Sequence, residues 1–380
     1  MIYLDNAATT PVRREAIEAM WPFLTGDFGN ASSVHSLGAR AADALRGARA
    51  ELARVTGARA GDVIFTSGGT EADNLAIKGI ALASPRGRHI ITTAIEHEAV
   101  LESVAHLERV HGFDITVLPV DDAGLVSPDA LRSALRADTT LVSIQYANNE
   151  IGTVQPIAEL AAIAAARGVP FHTDAVQAAG WLPLRLDDLG VDALSLAGHK
   201  VGAPKGIGAL LVRGRIPLEP VLHGGGQERG RRSGTENVAG AVAFATALRL
   251  AESERADAAA RATALREDFI AAVLASVPAA RLTGDAARRL PGTASFVFPG
   301  TSGEAVLLEL EKRDVVCSSG SACAAGSDEA SHVLLAVGLD TEVAQTAVRF
   351  TLAGTTTADD LAAAAAATVQ AVAAVSGIRS

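Results

Sequence analysis

The chain has 380 residues, 49% hydrophobic and 20% charged, a balance that fits a folded globular protein and excludes a disordered one. Lys and Arg number 33 against 43 Asp and Glu, and the net charge of −10 argues against direct nucleic-acid binding or docking on an anionic membrane. Two cysteines exclude a disulfide framework and a four-cysteine zinc site, and no metal is expected. The opening Met1-Ile2-Tyr3-Leu4-Asp5-Asn6 has no basic stretch and no apolar core, so no secretory signal is expected and a cytoplasmic location is.

In chain order, short β-branched runs alternate with helical patterns from about residue 60 to 213. The runs are 63–66, 89–94, 115–120, 141–145, 170–173, 193–196 and 208–212; the helical stretches are 71–83, 99–111, 128–136 and 157–167. Such alternation predicts an α/β domain with a mostly parallel seven-stranded sheet, whose ligands sit at the carboxyl ends of the strands. Residues 237–276 read as one long helix or two consecutive ones. Beyond about residue 282 come a strand (294–298), a helix (304–312), a Ser/Gly/Ala-rich loop and two more helical stretches, enough for a smaller α+β C-terminal domain. The Ala-rich stretch 361–378 is apolar, but Asp359 and Asp360 precede it as they would a soluble helix.

Three places carry chemistry. Thr66-Ser67-Gly68-Gly69-Thr70-Glu71 follows a strand and opens a helix, with Thr70 a candidate N-cap; it is either a plain capped turn or a phosphate site at a helix N-terminus. Asp174 and Lys200 end two further runs, Lys200 in the Gly-rich setting Gly198-His199-Lys200. A lysine that forms a Schiff base and an aspartate for the pyridinium nitrogen are the hallmarks of pyridoxal phosphate sites, and with the glycine turn they point to that cofactor. Cys323 lies among small polar residues in Ser318-Ser319-Gly320-Ser321-Ala322-Cys323, where a thiol is a candidate nucleophile. Cys317 closes the apolar run Val315-Val316 and reads as a buried packing residue.

With these segments stand Glu96-His97-Glu98-Ala99-Val100, Asn148-Asn149-Glu150-Ile151-Gly152, Asp174-Ala175-Val176-Gln177, Arg232-Ser233-Gly234-Thr235-Glu236-Asn237 and Val348-Arg349-Phe350. Over nearly its whole length the chain resembles the cysteine desulfurases, in the class V aminotransferase branch of fold-type I pyridoxal phosphate enzymes. The resemblance implies a large cofactor domain at 16–245 and a small domain formed by 1–15 and 246–380 that carries the cysteine loop. It implies that Lys200 holds the cofactor and moves the Cα proton, that Asp174 pairs with the ring nitrogen, and that His97 stacks on the ring and shares in proton transfer. Gln177 and Asn149 would hydrogen-bond around the phenolic oxygen and substrate. Gly69, Thr70 and His199 would hold the phosphate, with Thr235 reaching it from the other subunit of a homodimer. Arg349 would clamp the carboxylate of L-cysteine. Cys323 would take the sulfur as a persulfide, leaving L-alanine.

The longer cysteine loop resembles the group that hands sulfur directly to an acceptor protein, such as a scaffold in iron–sulfur cluster assembly or a thiolation enzyme. Ala197 stands where the family usually has a phosphate-binding serine. Selenocysteine lysis or transamination is the neighbouring alternative. A non-catalytic assembly partner would be marked by loss of Lys200 or Cys323, and both are present.

Overall fold

The computed structural model describes residues 1–83, 86–320 and 330–376. The chain opens with β1 (Ile2–Tyr3), α1 (Arg14–Thr25) and α2 (Ser36–Thr56). The alternating region follows: β2 (Val63–Thr66), α3 (Gly69–Ala83), β3 (His89–Thr93), α4 (Glu98–His111), β4 (Asp114–Leu118), α5 (Pro128–Ala134), β5 (Thr139–Ser143), α6 (Ile157–Ala165), β6 (Phe171–Asp174), α7 (Leu186–Leu189), β7 (Ala193–Ala197) and β8 (Gly208–Val212). After α8 (Val238–Ser276) come β9 (Arg281–Leu282), β10 (Thr293–Val297), α9 (Gly303–Glu311), β11 (Val315–Val316), α10 (His332–Ala336), α11 (Thr341–Ala344), β12 (Ala347–Thr351) and α12 (Ala358–Val375).

The seven apolar runs form one sheet in the order β2-β8-β7-β6-β5-β3-β4. All neighbours are parallel except β8, which runs antiparallel to both β2 and β7. Six of the strands are buried along their whole length and only the edge strand β4 is partly exposed. Burial on both faces explains why these runs show no polar-out alternation; their polar residues, such as His172 and Thr173 of β6, are buried as well. Consecutive side chains still divide between two cores. Phe65, Ile91, Val142, Leu194 and Leu211 pack with α2, α6 and the first half of α8. Ile64, Ile90, Leu141 and Leu210 pack with α3 and α4.

A separate core forms around β10, with β12 and β9 antiparallel on either side. Phe269 of α8 meets Phe350 of β12 and Phe296 of β10 edge-on at 5.1 and 6.1 Å between ring centroids. Residues 237–276 thus resolve into a single helix that joins the two cores, begun by Asn237, whose side chain accepts from Gly240 N. Among the described residues α12 is the one helix long and apolar enough to cross a membrane; Leu361, Ala364, Ala371 and Val372 are buried in this core, and a Thr357/Asp360 capping box starts it. Where two helical stretches were expected after the cysteine loop, α10, α11 and α12 form. The N-terminus belongs here too: β1 pairs with β11, and Asp5 bridges to Thr351.

One loop is held by a buried ion pair. Arg49 of α2 grips Glu228 through both nitrogens at 2.6 and 2.7 Å, lies 4.9 Å above the Phe65 ring, and Phe65 N also donates to the Glu228 carboxylate. Glu228 and Arg229 both adopt positive φ, 49° and 61°, which the pair stabilises. Arg49→Ala leaves the Glu228 carboxylate buried without its cation. The expected loss is roughly 3–5 kcal/mol, read from a urea unfolding curve. A loss below about 1 kcal/mol, the range of solvent-exposed pairs, would show that the pair is not the loop's anchor.

Candidate active site

The carboxyl ends of β2, β3, β5, β6 and β7 converge on a cavity of about 390 Å³. β2 feeds the Gly68-Gly69 turn into α3. A Cβ on Gly69 would lie 2.9 Å from Val176 Cγ2, so any other residue here would force the turn or Val176, just past β6, to shift. The helix begins at Gly69, so Thr70 lies in its first turn and is not the N-cap expected. Its first backbone bond is Ala72 N to Gly68 O at 3.1 Å, and Ser67 N is held by Glu71 Oε2 at 2.7 Å. The N–H groups of the first turn precede that bond, which makes this end of α3 suited to an anion.

Lys200 follows β7 on a short 3-10 turn, and its Nζ donates to Ala8 O at 2.9 Å and to Ala7 O. Gln177 Nε2 donates to the same Ala7 O at 3.0 Å. The N-terminal segment therefore threads through the site. Asp174 ends β6, is 8% exposed and accepts from Val176 N at 2.8 Å. Burial pushes its carboxyl up, while His97 and Lys200 draw it back. His97 caps α4: its Nδ1 accepts from Ala99 N at 3.0 Å, so the neutral ring carries its proton on Nε2. Burial, with Lys200 and Lys205 nearby, pulls His199 down to about 4 and keeps its ring neutral. Its Nδ1 lies 3.2 Å from Thr9 Oγ1.

Arg349 enters from β12 in the other core and is 1% exposed. Its Nη1 donates to Asn149 O at 2.8 Å and Gly320 O at 3.1 Å, and its Nη2 meets Asp5 Oδ1 at 2.8 Å. Gly69, Thr70, His97, Asn149, Asp174, Gln177, His199, Lys200 and Arg349 all line the one cavity. Thr235 does not; it is exposed on the loop before α8. Cys323 lies outside the described residues. Cys317 is half-buried against the C-terminal core, less enclosed than expected from its apolar run, because it stands just past the end of β11. Burial, with Asp5 adding to it, still pushes its thiol far up.

Four carboxyl groups not singled out from the sequence also line the cavity: Asp73, Glu96, Glu98 and Glu150. Glu96 is fully buried, accepts from Thr93 Oγ1 at 2.7 Å and from Gln145 N at 3.0 Å, and burial pushes it up to about 8. Asp73 is raised by burial and by Asp174. It lies 3.7 Å from His172, whose ring sits between Ser143 and Ser195 hydroxyls at 2.9 Å each and which burial pulls down to about 3. Glu150 accepts from Ser331 Oγ at 2.5 Å. Glu96 and Glu150 flank residues that were noticed and Asp73 follows the glycine turn, so motif proximity was the available signal.

The donor set fits pyridoxal phosphate: an amine on Lys200, a buried carboxyl on Asp174 for a ring nitrogen, and a helix N-terminus at which a Cβ on Gly69 would press on Val176. Asp73 Oδ1 and Arg349 Nε are buried polar atoms with no hydrogen-bond partner among the described residues, as expected of a pocket shaped for a polar occupant. Fold and site together define a fold-type I pyridoxal phosphate enzyme. The profile of the aminotransferase class-V family matches residues 2–363. Cysteine desulfurase IscS of Dictyoglomus turgidum is 49% identical over 361 residues, 95% of this chain and 91% of that protein. A solved NifS-like protein superposes with a TM-score of 0.92 at 35% identity, covering 98% of this chain and all of that one. A structure described as SspA in complex with cysteine does so at 0.80 and 37%, covering 93% and 99%. The chain belongs to the aminotransferase class-V family, and within it to the cysteine desulfurases.

Proposed function

We propose that this cavity converts L-cysteine to L-alanine, that Cys323 takes the sulfur as a persulfide, and that the sulfur passes to an acceptor protein. The meeting of Lys200, Asp174 and Arg349 in one cavity carries this reading. The solved relative in complex with cysteine supports the substrate. Pyridoxal phosphate, when bound, supplies the electron sink that acidifies the substrate's Cα–H and weakens its C–S bond. Arg349 holds the substrate carboxylate, and Asp174 holds the proton on the ring nitrogen. Lys200 Nζ takes the Cα proton and returns it, and the Nε2–H of His97 shares in proton transfer as a donor. The Cys323 thiolate attacks the substrate sulfur; an S–S bond forms as C–S breaks, and the carbon skeleton is protonated to alanine. An iron–sulfur scaffold or a thiolation enzyme is the kind of acceptor meant, and the cytoplasm is the compartment, where the Cys323 thiol stays reduced. Incubation with labelled L-cysteine tests this: label should appear on Cys323 and then on an added scaffold protein. Alanine formed with no label on Cys323 would refute it.

The working unit in this proposal is a homodimer. Ile17, Trp21 and Leu24 recur on one face of α1 and are 47%, 61% and 55% exposed, with Phe28 beyond them at 66%. A second copy would cover this face and bring its own Thr235 toward the phosphate end of the cavity. Light scattering at micromolar concentration should give twice the chain mass, and Trp21→Glu should shift it toward the monomer. A wild-type monomer would exclude the shared site.

A further inference from the structure

Arg349 has five N–H donors. Two on Nη1 are committed to Asn149 O and Gly320 O, and one on Nη2 to Asp5 Oδ1. One donor on Nη2 and the buried, unpartnered Nε remain. Two donors are what a bidentate carboxylate requires. A substrate carboxylate taking them would share one guanidinium with Asp5.

Asp5 is well placed to stay. Its carbonyl accepts from Tyr3 Oη at 3.1 Å and Ala8 N at 3.1 Å, its backbone bridges to Thr351, and its side chain is 19% exposed. Arg349, at 2% side-chain exposure, would be an uncompensated buried charge without it. The other titratable groups lining the cavity with Arg349 are Glu150 from the loop after β5, His97, Lys200, His332, Asp73, Glu96, Glu98, Asp174 and His199. None of these has a hydrogen bond to the guanidinium among those described, whereas Asp5 has.

We propose that Asp5 stands in for the substrate carboxylate: it neutralises Arg349 between turnovers and, by remaining on Nη2, weakens the hold on substrate and on product alanine. Asp5 is thus an affinity-setting residue for the α-carboxylate. The inference rests on Arg349 being the carboxylate clamp. Repulsion between two carboxylates on one guanidinium, partly screened, is large enough to set affinity by on the order of tenfold.

The test is titration of the holoenzyme with L-alanine, followed by the absorbance of the bound cofactor. Asp5→Asn keeps the shape and an acceptor oxygen but removes the charge. It should tighten L-alanine by on the order of tenfold and lower KM for L-cysteine in the same proportion. L-alaninamide, which lacks the carboxylate, should bind the variant and the parent alike. Unchanged or weaker L-alanine binding, or equal tightening of the amide, would overturn the proposal. Asp5→Ser carries the same expectation, and failure of both variants to fold would assign Asp5 to the fold and overturn it too. Arg349→Lys separates the two readings. If it leaves L-alanine affinity at the parent value, the clamp itself is wrong; if it weakens L-alanine while Asp5→Asn brings no tightening, the clamp stands and only the role of Asp5 fails.

Discussion

Lys200→Ala should yield a colourless protein after dialysis and turnover reduced by about 10²–10⁴ or more, because covalent anchoring and proton transfer at Cα are lost together. The parent protein should be yellow. The observation behind this is positional: Lys200 Nζ sits at the end of β7 on the carbonyls of Ala7 and Ala8, in the same cavity as Asp174 and the N-terminus of α3. Among the described residues no other lysine lines that cavity. Sulfide release from L-cysteine and the cofactor absorbance are the measurements. Sulfide release by the variant at the parent rate would show that another group moves the proton.

Cys323→Ser is expected to have the second largest effect, and its contrast with Cys317→Ser makes it decisive. Cys323→Ser should still bind cofactor and L-cysteine, since those steps depend on Lys200, Asp174 and Arg349. It should form almost no alanine and carry no persulfide. Cys317→Ser should keep most of the activity. Burial and the neighbouring Asp5 push the Cys317 thiol up, so it stays protonated at neutral pH, and a thiol is a far poorer nucleophile than a thiolate. Its loss removes a half-buried packing contact worth about 1 kcal/mol. Alanine formation and mass-spectrometric mapping of the added sulfur are the readouts. Sulfur found on Cys317, with Cys323→Ser still active, would reverse the assignment.

The elements of the sheet were legible because their cause is local. A strand buried on both faces shows β-branched and apolar residues without polar-out alternation, and each such run from residue 63 to 212 produced a strand in the seven-stranded sheet. Small shifts at their ends also have local causes: β6 starts at Phe171, because Pro170 has no N–H for the ladder. Thr70 is not the N-cap expected, because α3 begins two residues earlier, at Gly69, where the chain runs close to Val176.

The amino-acid order pointed to the class of enzyme, its cofactor and nine of the residues that line the cavity, since reactive side chains at strand ends form short, specific motifs, but it did not single out Asp73, Glu96, Glu98 or Glu150. It could not show which of them meet, or what each is paired with. Asp5 lies 344 residues from Arg349, and Ala7 lies 193 from Lys200, yet both pairs are within hydrogen-bond reach. Nor does any periodicity reveal that Asp73, Glu96 and Asp174 share one buried pocket, where desolvation and mutual repulsion govern their protonation. Those contacts come from the bridge between the N-terminal segment and β12 and from the convergence of five strand ends. Secondary structure follows from interactions a few residues apart, whereas charge pairing in a cavity follows from how separate elements pack, and only the folded chain fixes that distance.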